Sequence, residues 1–184
     1  MTKRLKLAAV SLFALMPVVS VFAEDGKTAV ATIKAAGAAT TQPSMGNAAG
    51  TVTFTQAGDS VKVVVDLTGV PAGKHAFHVH MKPDLSGADL KTAGPHFDPG
   101  ETKHHGGPGA SEAHHAGDLG NIEADKDGKA HMEFTVTGVS VGGKNDVVGR
   151  SVIIHANEDD MKTQDPTNPG GSGKRIAGGV IEAK

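Results

Sequence analysis

The histidine-dense stretch between His75 and Asp118 constrains this chain more than any other feature. Eight of the ten histidines lie inside it, and the chain has no cysteine that would compete for a metal. These histidines alternate with Gly, Pro and Asp rather than with apolar residues, which is typical of loops. Imidazole is a common ligand of zinc and copper. The stretch therefore predicts a metal site built on loops that the rest of the chain holds in place.

The rest of the chain is predicted to form short strands. Runs with alternating apolar and polar residues between turn residues are typical of half-buried strands. Such runs occur at residues 28–34, 51–55, 60–67, 74–80, 117–124, 130–136, 147–155 and 175–183, and they predict seven or eight strands. Two long polar segments, 81–116 and 156–174, interrupt them, and loops of that length are usually functional. The pattern predicts an all-β antiparallel barrel or sandwich with two long functional loops.

Residues 1–23 are predicted to be a signal peptide. Lys3, Arg4 and Lys6 precede an apolar run that ends at Ala23, a small residue where a signal peptidase cleaves. The alternative, a membrane anchor or a buried helix, is less favoured because a run of about 17 residues is at the short limit for a span. We expect an exported protein with no stable membrane anchor after cleavage, located in the periplasm of a bacterium.

The mature chain, residues 24–184, is predicted to be one domain that begins with a strand and a flexible connection over residues 24–50. Without the three basic residues of the signal peptide, 15 Lys and Arg face 20 Asp and Glu, a net charge near −5. This balance argues against nucleic acid as a partner. The sequence leaves the oligomeric state open, as a monomer or a homodimer.

The pair His78 and His80 is the sharpest local signal. On a strand, residues two apart share a face with Cα atoms about 6–7 Å apart, so both rings can bind one ion while Val79 enters the core. Two solvated histidines on an edge strand would explain the pair equally well. His155, at the end of an apolar run, can complete a site with them, and all-imidazole ligation suits copper.

Three other histidines and a carboxylate form a set of the kind that structural zinc sites use. The set comprises His96, His105, His115 and Asp118. The neighbouring His104 and His114 could replace two of these ligands after a shift of register, but we expect their side chains to be solvated. His131 and Arg150 are also expected to be solvated surface groups.

Six segments together resemble the copper-zinc superoxide dismutases. They are FHVH, AGPHFDP, HGGP, HxGDLGN, GRSVIIH and GSGKRIAGGVI, and they follow the order of the family between about Thr51 and Ile181. The resemblance implies an eight-stranded antiparallel Greek-key barrel or sandwich. It also implies a superoxide dismutase that converts superoxide to dioxygen and hydrogen peroxide by cycling copper between Cu(II) and Cu(I).

The resemblance further implies a role for each matching residue. Copper would be held by His78, His80, His96 and His155. Zinc would be held by His96, His105, His115 and Asp118. His96 would bridge the two metals and carry a proton, Asp159 would orient one ligand of each metal, and Arg175 would guide superoxide to copper. His75 matches a histidine that the family uses structurally.

The absence of a disulfide departs from the family, and the acidic net charge limits how superoxide is attracted. The family usually joins its first metal loop to its last strand by a disulfide, and the matching positions here are Leu90 and Gly178. Without that bond we expect the metal-free protein to be markedly less stable than the metal-loaded one. Because the mature chain is acidic, attraction of superoxide must be local, with Lys162, Lys174 and Arg175 as candidates.

The alternative function is a non-enzymatic extracytoplasmic protein that binds or buffers copper and zinc on the same fold.

Overall fold

The chain folds into eight β-strands in the computed structural model, which describes residues 26–37 and 47–184. The predicted signal peptide lies outside these residues. The strands are β1 (Thr28–Ala35), β2 (Ala49–Ala57), β3 (Ser60–Thr68), β4 (Gly73–His80), β5 (Asp118–Ala124), β6 (Ala130–Val136), β7 (Ser151–His155) and β8 (Arg175–Ala183). Short 3-10 helices at Lys91–Ala93 and Pro169–Gly171 are the helical elements of the described residues.

All strands belong to one antiparallel sheet in the order β5-β4-β7-β8-β1-β2-β3-β6. Strands β1, β2 and β3 follow one another, whereas β3 pairs with β6 and β4 pairs with β7 across crossovers. Such crossovers characterise Greek-key arrangements. The end strands β5 and β6 approach each other and leave a nearly closed barrel. The predicted all-β, eight-stranded antiparallel fold is therefore confirmed.

The barrel interior is filled by aliphatic side chains because the strands alternate as expected. In β3, Val61, Val63 and Val65 are fully buried, and the residues between them are exposed or partly exposed. Phe54, Phe77 and Phe97 add the largest side chains of this core. Among the described residues, none of the helices has the length and apolar character needed to cross a membrane.

The structure changes several predicted boundaries. Strand β7 begins at Ser151 rather than Val147, because Gly149 has a φ of 75° that ends the extended backbone and Arg150 donates a turn hydrogen bond to the carbonyl of Val147. Strand β2 already begins at Ala49, inside the segment predicted to be a flexible connection. Both long loops, predicted to lack any element, carry one of the short 3-10 helices.

Candidate metal centre

Neighbouring strands of the sheet bring the predicted copper ligands together. Strand β4 carries His78 and His80 and pairs with β7, which ends at His155. The first long loop returns His96 to the end of β4, where it forms an isolated bridge with His80. One ring nitrogen from each of these four buried histidines lies within 4.8 Å of the others.

The hydrogen bonds of these rings show which nitrogen faces the centre of the group. His78 Nε2 donates to Asp159 Oδ2 at 2.7 Å, and its buried Nδ1 has no partner among the described residues. His80 Nδ1 donates to the carbonyl of Gly94 at 2.8 Å, so its Nε2 keeps a lone pair. That nitrogen lies 3.4 Å from Nε2 of His155. Nitrogen lone pairs that converge in a buried site need a cation between them, and four imidazoles fit copper.

A second group of four ligands surrounds Asp118 at the start of β5. Its members lie within 4.8 Å of one another and are His96, His105, His115 and Asp118. His105 Nδ1 is 3.1 Å from Asp118 Oδ2 but does not form a hydrogen bond with it, so both atoms point at a common position. Three imidazoles with one carboxylate fit a four-coordinate zinc ion.

His96 belongs to both groups, and its two nitrogens divide between them. Its Nδ1 lies 2.7 Å from Asp118 Oδ1, which places this nitrogen on the side of the second group. Its ring centroid lies 4.1 Å from that of His78 and 4.8 Å from that of His80. The remaining nitrogen, Nε2, is therefore left for the first group. One imidazole thus reaches two metal positions.

The carboxylate of Asp159 connects the two groups from the opposite side. Its Oδ2 accepts from His78 Nε2, and its Oδ1 accepts from His105 Nε2 at 2.9 Å. Asp159 is itself held by Asn121, whose amide accepts from the Asp159 backbone N–H at 2.7 Å and donates to its carbonyl at 3.0 Å. Carboxylates of this kind fix the orientation of metal-binding imidazoles.

The pKa values separate three of the ligand histidines from a fourth in the metal-free protein. Burial and the neighbouring histidines hold the pKa of His80 and His155 well below the usual value, and they lower that of His96 to about 4. Burial would also lower the pKa of His105, but the nearby Asp118 carboxylate and the hydrogen bond to the Asp159 carboxylate outweigh it and raise this pKa to about 9. His80, His96 and His155 are therefore ready to bind a cation, whereas His105 must release a proton first.

A cavity opens above the first group, and Arg175 at the start of β8 lies on its wall. His96 and His155 of the first group line it, as do His105 and His115 of the second group and Lys103. The Arg175 guanidinium is half-buried and donates to the carbonyls of Leu90 and Gly94, both at 2.8 Å. Lys162 and Lys174, predicted to share in attraction, are exposed and do not line this cavity. Their share in the attraction stays a prediction, and Lys103 of the first loop, which the sequence did not suggest, lines the cavity.

The remaining histidines lie outside both groups. His75 is buried, with Nδ1 2.9 Å from the carbonyl of His155 and Nε2 2.8 Å from that of Pro71. His131 is exposed and pairs with the carboxylate of Asp66. The side chain of His104 is 43% exposed, but its Nδ1 is buried without a hydrogen-bond partner among the described residues, so the predicted solvated side chain is found only in part. That of His114 is only 23% exposed and its ring lies 4.0 Å from Asp118, so the prediction of a solvated side chain is wrong there.

Arg150 also differs from its prediction as a solvated charge. Its guanidinium carbon lies 4.0 Å from the centroid of the Phe97 ring. Its Nε and Nη1 donate to the carbonyls of Asp146 and Met81 at 3.1 and 2.8 Å. The planar guanidinium can stack and donate at once, so Arg150 holds the residue that follows His96 and the start of the first loop.

Three residues of this region had not been assigned a role from the sequence. Asn121 lies in the HxGDLGN segment and holds Asp159. Gln164 accepts from the backbone N–H of His105 at 2.8 Å and donates to its carbonyl at 2.7 Å. Gly170 lies so close to the His105–Asp159 pair that a side chain would collide with it. The consecutive glycines Gly170 and Gly171 are the one sequence signal for a special backbone position here, whereas nothing in the sequence links Gln164 to His105.

Comparisons with known proteins agree with this geometry. The sequence profile described as copper/zinc superoxide dismutase (SODC) matches residues 48–181. The extracellular superoxide dismutase [Cu-Zn] of Brugia pahangi is 38% identical over 142 residues, covering 74% of this chain and 70% of that protein. The protein with the same description in Drosophila melanogaster is 41% identical over 140 residues, covering 73% and 76%. The superoxide dismutase [Cu-Zn] of Paramecium bursaria Chlorella virus 1 is 42% identical over 136 residues, covering 72% and 71%.

One solved structure shares the fold over most of its length. The crystal structure of the clock protein EA4 superposes with a TM-score of 0.72 at 34% sequence identity. The match covers 88% of this chain and 97% of that one.

Proposed function

The chain belongs to the copper/zinc superoxide dismutase family and is a superoxide dismutase that uses copper and zinc, and on this premise we propose which residues carry the reaction. Copper is held by His78, His80, His96 and His155. Zinc is held by His96, His105, His115 and Asp118. The observation that carries the assignment is that both ligand groups share one imidazole, His96.

When bound, copper supplies the one-electron redox chemistry, between Cu(II) and Cu(I), that converts superoxide to dioxygen and hydrogen peroxide. Arg175 attracts the superoxide anion into the cavity and orients it beside His155. His96 holds and transfers a proton at Nε2, the nitrogen on the side of the copper ligands. Asp159 keeps His78 and His105 in their orientations through its two oxygens.

A non-enzymatic buffering role is not favoured, because Arg175 lines the cavity above the copper ligands. The test is an assay of protein loaded with copper and zinc. We expect about one ion of each metal per chain, fast removal of superoxide, and loss of that removal with cyanide or a chelator. Full metal content without removal of superoxide would instead support buffering.

The role of Arg175 can be tested against its neighbour Lys174. Arg175→Ala should lower kcat/KM roughly ten-fold and weaken its dependence on salt, because local charge steers encounter with small anions. Lys174→Ala should stay near the wild type, since Lys174 is exposed and does not line the cavity. Equal losses in both variants would mean that general surface charge, and not Arg175, attracts the anion.

We further propose that the chain is exported, with cleavage after Ala23 and residues 24–184 as one domain in the periplasm of a bacterium. The basic and apolar segments of residues 1–23 support this location, and two of the relatives are described as extracellular. Expression in a Gram-negative host followed by fractionation and mass measurement tests it. A cytoplasmic protein that retains Met1 would contradict export.

A further inference from the structure

The first long loop is attached beside Arg175 without a covalent bond. The chain has no cysteine, and Leu90 is 5% exposed at the point where this loop reaches the sheet. Its side chain belongs to a small apolar cluster that is separate from the main core. The buried members of this cluster, here the Leu90 cluster, are Ala36, Leu90, Ala93 and Ile153, and Leu85 packs against it.

Gly178 of β8 leaves the space that Leu90 fills. It pairs with Ile153 of β7 on one side and with Lys34 of β1 on the other. A Cβ atom at Gly178 would lie 3.4 Å from Cδ1 of Leu90 and 2.7 Å from Cδ1 of Ile153. Leu90 therefore packs directly on the backbone of β8, the strand that begins with Arg175.

The backbone of Leu90 contacts Arg175 itself. The Leu90 carbonyl accepts from Arg175 Nη1 and the Gly94 carbonyl accepts from Nη2, both at 2.8 Å. Leu90 has a φ of 57°, so the direction of its carbonyl depends on an uncommon backbone conformation that packing must maintain. The position of the loop therefore determines where the guanidinium points.

The other polar contacts of this loop cannot replace that attachment. Thr92 donates to the carbonyl of Asp84 and accepts from the N–H of Gly87, which fixes the shape of the loop but does not join it to a strand. Ser151 of β7 donates to the carbonyl of Lys82, and His80 of β4 donates to the carbonyl of Gly94, so these two contacts hold the loop at β7 and β4 but not at β8. Near Arg175, the apolar contact of Leu90 is what ties the loop to β8.

We propose that Leu90 is a positioning residue for Arg175, with its side chain seated on Gly178 so that its carbonyl orients the guanidinium toward a small monoanion in the cavity that His96 and His155 line. The inference rests on the proposed role of Arg175 as the residue that binds the anion. It predicts that removing the Leu90 side chain weakens anion binding while the metals stay in place.

The experiment titrates the copper- and zinc-loaded protein with azide, a small monoanion whose binding to copper(II) is visible in the absorption spectrum. Leu90→Ala should raise the Kd of azide roughly five-fold, within the range of coupling between contacting residues, with metal content unchanged. Leu85→Ala, in the same cluster but without a hydrogen bond to Arg175, should leave the Kd near the wild type. In an Arg175→Ala background, Leu90→Ala should change the Kd less than about two-fold.

Three results would overturn the inference. An unchanged Kd with a lower melting temperature in Leu90→Ala would show a purely structural role. An equal rise in the Arg175→Ala background would show that Leu90 acts through another group. An Arg175→Ala variant that binds azide like the wild type would overturn the proposed role of Arg175 as well, and so distinguishes the two failures.

A second variant covers the case in which Leu90→Ala does not load copper. Leu90→Asn also removes the apolar contact, but Asn tolerates a φ of 57° with less strain than most residues. The same rise in Kd is expected, and an unchanged Kd would overturn the inference in the same way. Azide binding does not require turnover, so the result can be read whether or not the loaded protein removes superoxide.

Discussion

Replacing Gly170 with alanine should lower both the stability of the protein and its affinity for zinc, although Gly170 is not one of the proposed zinc ligands. Gly170 is buried in the second long loop and has a φ of 65°. A Cβ atom there would lie 2.6 Å from Nε2 of His105 and 2.6 Å from Cγ of Asp159, and closer still to Oδ1 of that carboxylate. Because Asn121 holds the backbone of Asp159 on both sides, the carboxylate cannot move without breaking its hydrogen bond to His105.

The neighbouring Gly171 provides a matched control. It has the same φ of 65°, and its nearest neighbour for an added Cβ is Oδ2 of Asp160 at 4.0 Å. Gly171→Ala should therefore lower the free energy of unfolding only by the cost of a positive φ in a residue with a Cβ atom, about 1 kcal/mol. Gly170→Ala adds the cost of overpacking and the loss of the charge-assisted hydrogen bond between Asp159 and His105. These two costs are not fully additive, because a movement of the Asp159 carboxylate that relieves the collision is also the movement that breaks the hydrogen bond. We expect a total of roughly 3–4 kcal/mol.

Two measurements on purified variants check this difference. Urea unfolding of the metal-free proteins should separate Gly170→Ala from Gly171→Ala by roughly 2–3 kcal/mol. Competition with a chromophoric chelator should show zinc affinity about 10- to 100-fold lower in Gly170→Ala and unchanged in Gly171→Ala. If the two variants lost equal stability and kept equal zinc affinity, only backbone strain would be at work and the collision argument would be refuted.

Three further predictions concern the metals, pH and Arg150. Chelation of both metals should lower the melting temperature by more than about 10 °C, because ligands that bind only the folded state stabilise it, and equal melting temperatures would contradict this. The stability of the metal-free protein should peak near pH 6.5 in urea titrations, and a monotonic profile would contradict that. The free energy of unfolding falls toward pH 4 because His96 takes up a proton in the unfolded chain at a higher pH than in the folded protein, where its pKa is lowered to about 4. This difference in pKa corresponds to a loss of roughly 3 kcal/mol. The free energy of unfolding falls toward pH 9 because the raised pKa of His105, about 9, favours folding only while that ring is protonated. Arg150→Lys should cost about 1–2 kcal/mol in urea unfolding through loss of the stack on Phe97 and of the donor fork, and a loss below about 0.5 kcal/mol would assign the stack no weight.

The fold could be predicted from the sequence wherever one face of a strand is buried and the other is exposed. Val61, Val63 and Val65 mark β3 because polar residues separate them. Strand β7 lies between β4 and β8 and is buried on both faces, so its apolar run has no alternation that would locate its first residue. The prediction therefore placed its start at Val147, and the conformation of Gly149 was needed to correct it.

In the candidate site, residues marked by strand spacing or by a motif could be predicted from the sequence, whereas residues that act through distant contacts could not. Strand spacing alone placed His78 and His80 on one face, and motif order supplied the other ligand positions and Asp159. Gln164 and Gly170 contact the proposed zinc ligand His105 from a loop that matches no motif, more than fifty residues away along the chain. Periodicity carries no information about such contacts, because the path of a polar loop is set by what it packs against.

The missing disulfide shows how these distant contacts act together. A covalent link would restrict the loop in the unfolded chain as well, and typically contributes about 2–4 kcal/mol in that way. The contacts of Leu90 with β8, of Arg150 with Met81 and of Ser151 with Lys82 exist only when the sheet is formed. They leave the unfolded chain unrestricted, so the full entropy of ordering the loop must be offset at folding or at metal binding. We therefore expect stability and metal affinity to be more tightly coupled in this chain than in a relative whose loop is covalently linked.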